Sequence, residues 1–274
     1  MLVTGSSAFD LNKYTGEPLT GRKRTFQLFA LAESELDQLE DAVSKMANLR
    51  HRLVYGNYPE LLHLPDLTDK TDYLRDLTQS YLLRDILEFE NLKNADKIFD
   101  LLRLIAFQLG GEISYTEIGR QLSMSKNTVE RYLNLLSKVY ILHSVNAFSR
   151  NLRKEISKGK KWHFYDNGLR NILIGNMNPL ELRNDVGQLW ENYLISERLK
   201  YQHYSRILVY NFFWRTYDQQ EIDWVEDRGG KLYGYEFKWN PKRRAKEPVA
   251  WRKGYGEAEF AVVHSENYSG WVRG

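Results

Sequence analysis

Gly229-Gly230 lies between two alternating stretches, residues 221–225 and 232–238, and paired glycines in that setting specify a β-hairpin. A two-residue loop pairs Arg228 with Lys231. That register sets Trp224 opposite Tyr235, Ile222 opposite Phe237, Asp223 opposite Glu236 and Glu221 opposite Lys238. A four-residue loop gives the same register, and a bulge would break it. One face of the hairpin is then wholly apolar or aromatic, as a core face requires.

The other face gathers charge. Glu221 opposite Lys238 reads as a cross-strand ion pair, worth about 0.2–1 kcal/mol. Asp223 opposite Glu236 has no such explanation, because like charges with Cβ atoms about 5 Å apart repel. A divalent cation between them reverses the sign of that interaction, and Mg²⁺ is held by one or two carboxylates with waters and phosphate oxygens. Lys238 suits orienting a water or offsetting charge on a phosphoryl transition state. Glu191, in Leu189-Trp190-Glu191-Asn192 on a preceding helix, adds a third acidic group. The expected catalytic set is Glu191, Asp223, Glu236 and Lys238, with Asp223 and Glu236 as metal ligands and Mg²⁺ as cofactor. The competing reading is a charged solvent face without chemistry.

The other classes are narrowed by composition. With no cysteine among 274 residues, disulfides, thiolate metal sites and cysteine nucleophiles are excluded. The six histidines show no ligand spacing and read as structural or surface residues. No run of eighteen apolar residues and no secretory pattern occurs at the start, so a cytoplasmic protein without membrane spans is expected. Net charge is only +3, but residues 150–161 and 242–253 each carry six basic side chains against one acidic, which points to a polyanionic partner.

Apolar spacing predicts helices over 33–53, 72–90 and 96–109. Residues 114–138 read as helix-turn-helix: Ser114 precedes a short helix with Glu117 three residues on, and Ser125 opens a second helix over 126–138. Strands at 140–145 and 162–165 around a basic loop complete a winged unit. It would contact DNA through Lys126, Asn127 and Arg131 on the second helix and through Arg153, Lys158, Lys160 and Lys161 on the wing. A helix over 186–201 and strands at 206–210, 221–225, 232–238 and 258–263 follow.

The order Glu191, Asp223, then Glu236-Phe237-Lys238 resembles the PD-(D/E)XK, or restriction-endonuclease-like, superfamily. That resemblance implies metal binding by Asp223 and Glu236 and water positioning by Lys238. More broadly, Val3-Thr4-Gly5-Ser6-Ser7, Leu19-Thr20-Gly21-Arg22, Tyr55-Gly56-Asn57-Tyr58-Pro59-Glu60, Tyr81-Leu82-Leu83-Arg84-Asp85-Ile86, Phe164-Tyr165-Asp166-Asn167-Gly168-Leu169, Leu189-Trp190-Glu191-Asn192 and Glu221-Ile222-Asp223-Trp224 are similar to the C-terminal part of a prokaryotic AAA-type ATPase family. It implies vestigial nucleotide-sensing roles for Ser6 and Arg22. The sequence has no Gly-x-x-x-x-Gly-Lys-Ser/Thr, so ATP is not expected as a ligand. The expectation is a truncated gene, a misplaced start, or a separate P-loop-bearing chain that supplies the missing half; an oligomer is the alternative partner. The fold expected is multidomain α/β: an ATPase-core remnant over 1–30, a helical lid over 31–110, a winged helix-turn-helix over 111–175 and a restriction-endonuclease-like domain over 180–274. The expected function is DNA-associated, Mg²⁺-dependent phosphodiester cleavage. The alternative is a non-catalytic DNA- or protein-binding module serving an ATPase.

Overall fold

The structure, a computed structural model, describes residues 24, 26–41, 43–82, 95–149 and 159–273. Ser6, Arg22, Arg153, Lys158, almost all of the expected ATPase-core remnant and most of the Tyr81–Ile86 motif lie outside the described residues.

Polar side chains set the starts of four helices. Glu33–Leu36 (α1) and Ser44–Tyr55 (α2) are separate helices where one was expected. Asp41 is the reason: its carboxylate accepts from the Val43 and Ser44 amides at 3.0 and 2.7 Å and begins a new helix. Leu67–Asp76 (α3) runs on as a π-helical turn to Leu82, and Ala95–Phe107 (α4) follows. Tyr115–Gln121 (α5) and Lys126–Lys138 (α6) form with the expected caps, Ser114 Oγ accepting from Glu117 N at 3.3 Å and Ser125 Oγ from Thr128 N at 3.1 Å. The turn between them is tight because Met124 N–H donates to the Gly119 carbonyl at 2.7 Å.

The expected mixed α/β character is present. Among the described residues the strands are Leu142–Ala147 (β1), Lys160–Phe164 (β2), Tyr210–Arg215 (β3), Glu221–Arg228 (β4), Lys231–Lys238 (β5) and Glu259–His264 (β6). They form one six-stranded sheet in the order β2-β1-β3-β4-β5-β6, with β1/β3 and β5/β6 parallel and the other pairs antiparallel. The sheet is continuous from residues 142–164 into the C-terminal strands. The strand expected at 206–210 starts only at Tyr210, because the helix Val186–Tyr204 (α8) runs further and is closed by Ile207 N donating to Gln202 O with Arg206 at φ 53°.

Helix α8 and the C-terminal helix Tyr268–Arg273 (α10) share a core with Trp224, Tyr235 and Phe237. Helix Val249–Gly254 (α9) sends Trp251 into a second cluster with Phe148, Trp214, Ile222 and Val225. Both sheet edges carry side-chain caps. On β2, Asn192 of α8 accepts from Phe164 N at 2.8 Å and donates to Phe164 O at 3.0 Å. On β6, Asn267 donates to Val262 O at 3.0 Å and accepts from His264 N at 2.7 Å.

Three sequence motifs meet under α8. Asp166 accepts from Asn57 N at 2.7 Å and from Gly168 N at 2.8 Å, capping Asn167–Leu173 (α7). Asn167 donates to Leu53 O and Leu189 O at 3.2 and 3.0 Å, and Asn192 donates to Asn167 Oδ1 at 2.7 Å. Gly56 holds φ 80°, ψ −164°, a region open essentially to glycine alone, and a Cβ there would overlap the Asp166 carboxylate. Gly56→Ala should therefore cost about 2 kcal/mol or more, read as a lower urea midpoint. An unchanged midpoint would show that the motif junction does not hold the fold.

Candidate active site

The hairpin register is as the sequence sets it from Arg228↔Lys231 to Trp224↔Tyr235. The strand on the other side is where a bulge enters. Phe212 pairs with Val225 and Trp214 with Ile222, so two steps along β3 face three along β4. The extra residue puts Ile222 and Trp224 into different clusters, the first against Trp251 and the second against α8. The expected single apolar face over Ile222 and Trp224 is thus corrected: the bulge interrupts the alternation at Asp223. The Asp223 side chain then takes a backbone partner, Oδ2 accepting from Phe237 N at 2.7 Å.

The ion pairs differ from the expected ones. Glu221 does not pair with Lys238. Its Oε1 is bonded by Lys161 of β2, and Lys238 Nζ instead lies 2.6 Å from Glu236 Oε1. The Lys161 side chain, expected on a DNA-facing wing, is only 4% exposed. Strand alternation explains the difference, since Lys161 and His163 face away from Trp162 and Phe164. Lys161 lies 3.7 Å from Glu191 Oε1, beyond hydrogen-bond reach. That Glu191 oxygen is buried and has no hydrogen-bond donor. Gly110 packs on the same carboxylate, where a Cβ would sit 3.2 Å from Oε2.

The electrostatics show one cluster built from four elements. Burial first, then the charges of Glu191 and Glu236, hold the Asp223 carboxyl well above the usual carboxylate range. Burial also raises Glu191; Lys161 opposes the rise, while Glu221 and Glu236 add to it. Burial alone would lower Lys161 and Lys238, but their carboxylate neighbours outweigh it and hold both above the ordinary lysine value. The structure therefore brings together all four expected catalytic residues and adds Lys161 and Glu221. The signal for Lys161 was its place in the alternation of β2, two residues from the buried His163 and flanked by aromatic Trp162. Among the described residues no group of three or more His, Asp or Glu side chains is disposed to hold a metal. A cation held by the Asp223 and Glu236 pair, completed by water and phosphate oxygens, needs no such trio. The donorless Glu191 oxygen fits a site that can take one more cation, while the upward shifts of Glu191 and Asp223 come first from burial.

The other expected contact residues stand apart from this cluster. Lys126, Asn127 and Arg131 are exposed on α6, where an open groove of about 320 Å³ is lined by Asn127, Glu130, Arg131, Asn134, Leu135 and Lys138. Lys160 is half-buried at the start of β2. His143 and His163 are buried and stack across β1 and β2 with ring centroids 5.4 Å apart. No helix among the described residues is long and apolar enough to cross a membrane.

Two families of unknown function match this chain, each over part of it. Residues 46–180 match the Domain of unknown function (DUF8612), and residues 186–268, which hold α8 and the hairpin, match the Domain of unknown function (DUF4143). An uncharacterized protein of Mycobacterium tuberculosis is 24% identical over 86% of this chain and 52% of its own length. An uncharacterized protein of Methanocaldococcus jannaschii is 24% identical over 74% of this chain and 51% of its own. An uncharacterized Haemophilus influenzae protein is 23% identical over 64% of this chain and 46% of its own. The chain thus spans about half the length of these relatives. No solved structure matches it.

The raised carboxyls carry a pH consequence. A carboxyl whose folded pKa lies above its unfolded value, about 3.9 for Asp, contributes stability that is complete at low pH and lost as pH rises through the folded pKa. Asp223→Asn keeps an acceptor for Phe237 N and removes that charge. Its urea midpoint should gain on the native protein between pH 5 and pH 8. An equal difference at the two pH values would refute the shift.

Proposed function

We propose that this chain is a DNA-associated protein whose C-terminal part hydrolyses phosphodiesters with Mg²⁺. The observation that carries the reading is the donorless, buried oxygen of Glu191 in a cluster with Asp223, Glu221 and Glu236. With all four carboxylates ionised, Lys161 and Lys238 leave two negative charges uncompensated, the charge of one divalent cation. Arg215 also reaches Glu221 at 4.0 Å, but it pairs more closely with Glu112 at 3.2 Å.

In this reading Asp223 and Glu236 would hold Mg²⁺, which would supply Lewis-acid polarisation of a phosphoryl oxygen. Glu191 would add to the negative field of that pair. Lys238, kept protonated by Glu236, orients the attacking water and offsets charge developing on phosphorus. Lys161 positions Glu221 and Glu191 from beneath. Helices α5 and α6 with β1 and β2 form a winged helix whose Lys126, Asn127 and Arg131 contact the duplex, and Lys160 meets phosphate. The restriction-endonuclease-like assignment of the C-terminal part belongs to the same reading.

A second reading rests on Lys238 being already paired with Glu236 and on no described trio being disposed for a metal. It makes this chain a non-catalytic module of an AAA-type ATPase assembly, with nucleotide chemistry supplied by a P-loop-bearing chain. A nuclease assay with Mg²⁺ or Mn²⁺ separates the two. The native protein should cleave DNA, and Asp223→Ala and Lys238→Ala should each lose about 100-fold or more. Cleavage persisting in both variants would remove the assigned site. No cleavage by any form, with salt-sensitive DNA binding retained, selects the module.

A further inference from the structure

Strand directions bring two sequence-distant segments to one end of the sheet. β3 ends at Arg215, β4 starts at Glu221 and β5 ends at Lys238, so the β3–β4 turn and the segment after β5 leave from the same end. That is also the end of the hairpin that holds Glu221, Asp223, Glu236 and Lys238.

The β3–β4 turn is closed by its own backbone. Thr216 N donates to Gln220 O at 2.9 Å and Gln219 N donates to Thr216 O at 3.2 Å, with Gln219 left-handed at φ 63°. Tyr217 rides on this turn with its side chain wholly in solvent, at 100% exposure. The segment after β5 presents Lys242, Arg243, Arg244 and Lys246, all exposed. None of these four side chains has an ion-pair partner among the described residues, whereas Lys231, Lys238 and Arg252 nearby in sequence are each paired with a glutamate. The helix that follows the cationic segment is tied to this turn and to the start of β4: Gln220 Oε1 accepts from Ala250 N of α9 at 3.0 Å, and Ile222 shares a cluster with Trp251.

An aromatic ring on a closed turn, at the same end of the sheet as four cations without ion-pair partners among the described residues, has the parts of a strand-binding rim. Cations track a phosphate backbone, and a ring wholly in solvent has a free face for a base. A base stacked inside a duplex offers no face to such a ring. We propose that Tyr217 with Lys242, Arg243, Arg244 and Lys246 forms a binding rim for single-stranded DNA beside the carboxylate cluster. This rests on the reading of that cluster as a DNA-cleaving site and names its substrate: a strand with unpaired bases at the point of cleavage.

The test is fluorescence anisotropy on the full chain carrying Asp223→Ala, in EDTA, with a labelled twenty-nucleotide oligo-dT and a duplex of the same length as probes. Binding is thereby read apart from cleavage. Oligo-dT should bind more tightly than duplex. Tyr217→Ala should weaken oligo-dT binding about tenfold, while Tyr217→Phe should retain it. Replacing the four cations with glutamine should lower the salt slope of oligo-dT binding by about 3. Equal affinity for the two probes, or an unchanged oligo-dT affinity in Tyr217→Ala, overturns the rim. A protein that cleaves no DNA yet shows the Tyr217-dependent preference keeps the rim and loses the nuclease reading.

Discussion

Two adjacent residues of α8 divide the work on which the rest depends. Asn192 has both ends of its amide bonded, to the Phe164 backbone and to Asn167, so the helix is fixed in rotation and height against β2. Buried amide pairs of this kind are costly to leave unmade. One residue earlier, Glu191 meets Lys161 and the hairpin carboxylates. A helix register shift of one residue would move the acid out of the cluster and leave the β2 edge unsatisfied. Fold and site are therefore set by the same docking.

The N-terminal helices are tied to that helix by charge. Arg52 reaches Glu33 at 2.9 Å and Tyr193 of α8 at 3.2 Å; Glu197 accepts from Glu33 N at 2.7 Å and from Lys200 at 2.6 Å. Asn57 donates to Glu197 at 3.0 Å, so the motif that receives Asp166 also joins this network. Such a network is held by mutual satisfaction of its members. Loss of a single partner would strand charge beneath α8.

The hairpin was legible because its turn glycines and alternation are local facts. So were α6, with its Ser125 cap and spaced Val129, Leu133 and Leu136, and the grouping of Glu191 with Asp223, Glu236 and Lys238. The bulge at Asp223 was not legible, because the extra residue is defined only against β3, whose start was itself misplaced by the longer run of α8. The role of Lys161 was hidden for a related reason. A lysine in a basic run reads as a surface charge until its strand is paired and its face known. The junction of Gly56, Asp166, Asn167 and Asn192 spans more than a hundred residues of chain, and the motifs that compose it gave no sign of meeting.

Asn267 gives the sheet a further property. Its amide spans Val262 O and His264 N on the outer side of β6, as Asn192 does for Phe164 on β2. An incoming strand would have to evict a side chain already bonded at both ends before it could add to the ladder. Backbone templating is thereby opposed at those groups. At those two places the edge groups are already answered from within the chain, and replacing either asparagine would reopen them to a neighbouring strand.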